Sequence, residues 1–228
     1  MLKNNGHSLL GSLFFMVLLL FYKQAYGLYI DADISSVESG ETFLSKSYVN
    51  DTKTTNLYSF SAYKIDKPGN DEVGEEISNG EIIFTPLKKS LRPGERECFK
   101  IFYRGKEDDQ ERYYKIIISE TPFEVKNSGA QKKQPLFYPT ISLETYLVVR
   151  PKNPNFKYDF RQNEGVLKNT GNTYFRVILH DNCESNEDDI PYVLYLLPQQ
   201  AYRDARLKKK SHKYIVAFDK YYPIGNCD

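Results

Sequence analysis

The chain has 228 residues, 40% of them hydrophobic and 27% charged, enough to build a core and to solvate a surface, which excludes wholesale disorder and a multispan membrane protein. Lys plus Arg (31) nearly cancel Asp plus Glu (30), so no global field directs the chain to nucleic acid or acidic lipid. With 19 Tyr, 14 Phe and no Trp, the composition leans toward strands.

The N-terminus has the form of a secretory signal peptide. Lys3 precedes the apolar run Leu13–Phe21, and Ala25-Tyr26-Gly27 follows with small residues at the positions a signal peptidase reads. The run is short for a membrane span. Cleavage is expected after Gly27, so 1–27 is read as a signal peptide and the remainder as an exported protein.

From Leu28 to Arg150 the sequence reads as short strands broken by turn residues, with candidates at 28–37, 41–50, 56–66, 80–85, 96–104, 111–120 and 136–150. Glu38-Ser39-Gly40, Lys67-Pro68-Gly69-Asn70, Arg92-Pro93-Gly94 and Arg104-Gly105-Lys106 supply the punctuation. Seven strands at this spacing predict an immunoglobulin-like sandwich. Thr121–Pro135 is polar and without period, and reads as a long loop. Pro151-Lys152-Asn153-Pro154-Asn155 reads as a linker, because its prolines restrict the chain and remove donors. Beyond it lie candidates at 157–161, 173–180, 192–197, 213–219 and 220–224, which make a second, small sandwich. The fold class is therefore all-β.

Features that could carry catalysis are thin. Only His180 and His212 remain once His7 leaves with the signal peptide, and no phosphate loop, nucleophile elbow or HExxH element is present. His180-Asp181-Asn182-Cys183 offers too few ligands for a metal. Glu107-Asp108-Asp109 and Glu187-Asp188-Asp189 read as solvated turns, and the basic run Arg206–Lys213 as an exposed turn between strands. Of the three cysteines, Cys183 and Cys227 share the C-terminal third and are expected to pair in an oxidising compartment. Cys98 lies in a strand-like run and is expected to be a buried thiol.

One segment stands apart. From Phe137 to Arg150 the odd positions are Phe137, Pro139, Ile141, Leu143, Thr145, Leu147 and Val149, a mostly apolar set on one face of a strand. Fully extended the run spans about 46 Å, well beyond the usual strand. It is either a long core strand or an edge strand whose apolar residues serve a partner lacking a strand.

Several motifs together bring a family into view: Phe84-Thr85-Pro86, Leu91-Arg92-Pro93-Gly94, Glu111-Arg112-Tyr113-Tyr114-Lys115-Ile116, Leu147-Val148-Val149-Arg150-Pro151, Asn169-Thr170-Gly171-Asn172, Phe175-Arg176-Val177 and the later Cys183. In this order and spacing the chain resembles the periplasmic chaperones of the chaperone–usher pilus pathway, in particular their alpha-fimbrial, common-pilus branch. The likeness spans essentially the whole exported chain. It implies two immunoglobulin-like domains, 28–150 and 151–228, set as a boomerang in the periplasm. It further implies a chaperone that donates its long G strand to incomplete pilin subunits and delivers them to an outer-membrane usher. No cofactor, metal, catalytic residue, nucleic acid or small-molecule substrate is implied.

On that resemblance Phe137, Ile141, Leu143, Thr145 and Leu147 are the side chains expected to enter the subunit, and Glu111, Arg150 and Asp219 an interdomain charge network. The sequence also departs from the family. The better-known branch anchors a subunit's C-terminal carboxylate with an Arg on the first strand and a Lys on the G strand. Here the Lys position falls on Tyr146, and Ile30-Asp31-Ala32-Asp33-Ile34-Ser35 holds no Arg. The rival readings are a pilin or adhesin subunit, which would carry its alternating run directly after the signal, and a secreted β-sandwich carbohydrate-active enzyme, which would need paired carboxylates in one cleft.

Overall fold

The computed structural model describes residues 34–68, 74–77, 79–122, 140–184, 190–225 and 227. The expected signal peptide, Phe137, Pro139, nearly all of the polar loop after Pro122 and the Glu187–Asp189 turn lie outside them.

Two sheets form the first sandwich. One contains β1 (Ile34–Val37), β9 (Ile141–Val149), β8 (Arg112–Pro122) and β3 (Asn56–Ile65) in that order, with β4 (Glu75–Glu76) and β6 (Lys88–Leu91) both on the far edge of β3. The other is β2 (Phe43–Val49), β7 (Arg96–Tyr103) and β5 (Ile82–Thr85). All pairings are antiparallel except β1 with β9, which is parallel. Alternation drives the packing: Tyr58, Phe60 and Ala62 of β3 and Tyr114, Ile116 and Ile118 of β8 face Phe99 and Ile101 of β7. Aromatic rings fill the centre, with Phe60 4.0 Å and Tyr48 4.5 Å from Phe99 between ring centroids.

The same parity overturns the expectation for Cys98. Phe99, Ile101 and Tyr103 point inward, so Cys98 points out, and its thiol is free and exposed.

The second sandwich pairs β10 (Tyr158–Arg161), β11 (Val166–Asn169) and β14 (Ala201–Arg203) in one sheet. The other sheet is β13 (Tyr192–Leu196), β12 (Phe175–Leu179), β15 (Lys213–Ala217) and β16 (Lys220–Pro223). Leu167, Phe175, Val177, Leu179, Leu196, Leu207 and Ile215 make its core. The basic run is not simply an exposed turn. Asp204 caps a 3₁₀ turn at Ala205–Leu207, Leu207 plugs the core, and Ser211 and Lys213 are buried. Lys213 Nζ donates to the carbonyls of Lys209 and Ser211, and its burial lowers its pKa.

A smaller apolar cluster joins the two sandwiches. Ile65, Tyr113 and Val148 of the first pack with Leu197 of the second, flanked by Ile34, Tyr146 and Tyr174.

Candidate functional site

The long strand changes character along its length. Thr145, Leu147 and Val149 point between the sheets and are buried, Leu147 being only 1% exposed. Leu143, on the same face, is half-buried, and Ile141 is 55% exposed. The inward row therefore runs on past the point where the opposite sheet stops covering it. β8 pairs with β9 over its whole length, from Glu120 opposite Ile141 to Arg112 opposite Val149. On the other edge, β1 covers only Tyr146–Val149 among the described residues.

This corrects the side-chain set expected from the sequence. Leu147 and Thr145 belong to the first sandwich itself, because Leu147 packs in its core and Thr145 is 8% exposed. Ile141 and Leu143 are the described members of that set with apolar surface to offer. Phe137 lies outside the described residues.

At the linker end of the same strand, Arg150 and Glu111 meet the second sandwich. The Glu111 carboxylate accepts from Tyr113 Oη at 2.6 Å, from Thr173 Oγ1 at 2.6 Å and from the Tyr174 N–H at 3.0 Å. Arg150 Nη1 lies 3.5 Å from Glu111 Oε2, donates to Thr173 Oγ1 at 2.5 Å and to the Tyr174 carbonyl at 2.9 Å. Its guanidinium stacks on Tyr174, 4.0 Å from the ring centroid, and Phe218 lies at 5.1 Å. Burial raises the Glu111 pKa, against the hydrogen bonds of Thr173, Tyr113 and Tyr174 and the charge of Arg150.

Asp219 does not complete this network. It lines the cleft beside Arg150 but makes no hydrogen bond or ion pair among the described residues. Its backbone is left-handed, with φ 59° in the turn between β15 and β16. The second carboxylate is Glu38, whose Oε1 is 3.5 Å from Arg150 Nε. Sequence reasoning missed it, because Glu38 sits in a turn whose side-chain direction no periodicity reports.

Between the sandwiches lies a cleft of about 460 Å³. Ser35 and Ser36 of β1, Arg150, Tyr174, Arg176 and Tyr195 are among the residues lining it. Arg176, half-buried on β12, has no hydrogen-bond or ion-pair partner among the described residues. The cleft thus holds an uncommitted guanidinium, although neither Tyr146 nor the described part of the first strand supplies a cation.

In the second sandwich Cys183 and Cys227 form a disulfide, with Cα atoms 5.4 Å apart. Among the described residues there is no group of three or more His, Cys, Asp or Glu arranged around a metal, and no helix long and apolar enough to cross a membrane.

In overall fold the two joined sandwiches match solved fimbrial chaperones. The crystal structure of the class 5 fimbriae chaperone CfaA matches with a TM-score of 0.51 and 14% identity, over 83% of this chain and 91% of that one. The Salmonella enterica SafB chaperone structure, which holds the SafA pilin, matches with a TM-score of 0.53 and 14% identity, over 88% of this chain and 94% of that one. No family model matches the sequence.

Curated relatives make the assignment specific. The protein named Probable fimbrial chaperone EcpE from Escherichia coli O157:H7 is 33% identical over 196 residues, covering 84% of this chain and 81% of its own. Probable fimbrial chaperone EcpB from Escherichia coli O157:H7 is 29% identical over 201 residues, covering 84% of this chain and 89% of its own. The chain belongs to the fimbrial chaperone family, with two immunoglobulin-like domains and a non-enzymatic role. The pilin and carbohydrate-active enzyme readings fall with that assignment.

Proposed function

We propose that this chaperone captures incompletely folded fimbrial subunits in the periplasm by lending them the exposed half of β9, and then passes them to an outer-membrane usher. The observation that carries the reading is the graded burial along β9. Leu147 is rooted in the chaperone's own core, while Ile141 and Leu143 extend the same apolar row outward. A subunit lacking a strand has an open sheet edge and an uncovered core. Backbone groups of 141–145 would pair with the edge, and alternate side chains would fill the groove. Burying what remains exposed of Ile141 and Leu143 contributes about 1–3 kcal/mol before ordering costs. The rooted half of the strand limits those costs, since Tyr146–Val149 is already fixed between β8 and β1.

The cleft supplies a second point of attachment. Arg176 has five N–H donors in a planar fork and lines the same cleft as Ser35 and Ser36. A subunit's C-terminal carboxylate is the ligand that suits this arrangement, with Arg176 taking the part that Arg and Lys play in the better-known branch. Solved neighbours that hold a pilin or a tip adhesin support the subunit as partner.

Co-expression with candidate subunits tests the proposal. A one-to-one complex should be recovered from the periplasm, and the subunit should be degraded when the chaperone is absent. A subunit that is equally stable without the chaperone would contradict the reading.

A further inference from the structure

We propose that His180 and His212 form a two-imidazole site for a divalent transition-metal ion of the zinc or copper type on the outer face of the second sandwich. In the sequence His180 stands without enough ligands near it, but folding supplies the missing one from a distant strand. β12 and β15 pair antiparallel through Leu179 opposite Lys213. One step further along, the His180 N–H donates to the His212 carbonyl at 2.9 Å. Leu179 and Lys213 point inward and are buried, so both imidazoles lie on the opposite, half-exposed face.

The ring centroids are 6.5 Å apart, with the planes crossed at 87°. Two imidazoles on one tetrahedral ion, at the usual metal–nitrogen distance of about 2.0–2.1 Å, have centroids about 5 Å apart. Rotation of the side-chain torsions closes that gap without moving the sheet.

The surroundings favour coordination in two ways. Tyr214 stacks on His212 at 11° between planes, and its hydroxyl lies 3.4 Å from His212 Nδ1. A hydrogen bond on one ring nitrogen is how ligating histidines are oriented, and it leaves Nε2 for the metal. The backbone beneath is also held. The His212 N–H donates to the Asn182 carbonyl at 3.2 Å, and the adjacent Cys183 is tied to Cys227. Imidazole suits zinc, nickel and copper, with water completing the shell. An ion bound there would join the end of β12 to the start of β15 and stabilise the domain in proportion to its occupancy.

The test is calorimetric titration of the untagged full chain, disulfide intact and carrying Cys98→Ser to remove the exposed thiol, with zinc chloride and copper(II) chloride. One ion per chain should bind. His180→Asn and His212→Asn should each weaken binding about tenfold or more. The melting temperature without metal should be unchanged by either substitution. Should a substitution disturb folding, the imidazole proton resonances of the unsubstituted histidines are followed instead, and those of both residues should shift together and saturate at one equivalent of zinc. The proposal is overturned by the absence of saturable binding below about 1 mM. Binding that survives either substitution, or that depends on one imidazole alone, overturns it as well.

Discussion

Thr173 of the second sandwich donates to Glu111 of the first at 2.6 Å, and both side chains are almost wholly out of solvent. The same hydroxyl lies 2.5 Å from Arg150 Nη1. The junction between the sandwiches is therefore a desolvated ion pair cross-braced by a neutral donor, rather than three charges meeting at a surface.

Removing one partner of such a pair leaves the other charged and buried. Glu111→Ala and Arg150→Ala should each destabilise the protein by about 3–5 kcal/mol in urea unfolding. The double substitution should cost less than the sum of the two. We also expect the angle between the sandwiches to widen its distribution in small-angle scattering of either variant. Additive losses with an unchanged scattering profile would contradict the junction's role.

Glu120 behaves differently. It is 4% exposed, and its Oε1 accepts from Asn56 Nδ2 at 2.6 Å. Its Oε2 and the neighbouring Tyr58 Oη are buried without a partner among the described residues. Burial raises its pKa. A carboxyl raised in the folded state favours folding below its unfolded pKa, about 4.3. That contribution is lost as pH rises through the folded value. Glu120→Gln should therefore stabilise the protein at pH 7 by about 1 kcal/mol, the low end for a buried unsatisfied polar atom. The gain should shrink toward pH 4, and a gain independent of pH would contradict this account.

The cysteines predict a simple labelling pattern. One thiol per folded chain, Cys98, should react with a maleimide without denaturant, and two more should appear after reduction. Cys183→Ser should cost roughly 3–4 kcal/mol, the chain-entropy value for a loop with its sequence separation of 44. Protection of Cys98 in the folded protein would contradict the exposed placement.

Most of the strands were legible because alternation and turn residues were both present, as in Asn56–Ile65 and Arg96–Tyr103. Val166–Asn169 and Ala201–Arg203 were not, since three or four residues carry too little pattern to separate a strand from a loop. Lys88–Leu91 was not among the strand candidates either, although its Leu91 is fully buried. In β9 the period of two identified the apolar face correctly, yet it contains no mark of where the opposite sheet ends. That boundary divides Leu143 from Leu147, and it exists only in three dimensions. The facing histidines, just after β12 and just before β15, were hidden for the same reason.

Arg176 has a role that binding can separate from folding. Arg176→Ala should leave the unfolding free energy within about 0.5 kcal/mol of wild type, because the half-buried guanidinium has no partner among the described residues. It should weaken capture of a subunit, and removing the subunit's last residues should produce no further loss in that variant. Equal weakening by truncation in both backgrounds would place the chain end elsewhere.

The central claim, that the outer half of β9 is lent to the subunit, is tested most directly by subunit capture with Leu143→Asp. This change sets a carboxylate in the groove that Leu143 should fill, while the chaperone's own core residue Leu147 is untouched. Glu144→Ala, on the opposite and exposed face, is the control. With both variants folded by circular dichroism, Leu143→Asp should abolish the copurified complex and Glu144→Ala should leave it near wild type. Capture by Leu143→Asp equal to that of the wild type would contradict the claim.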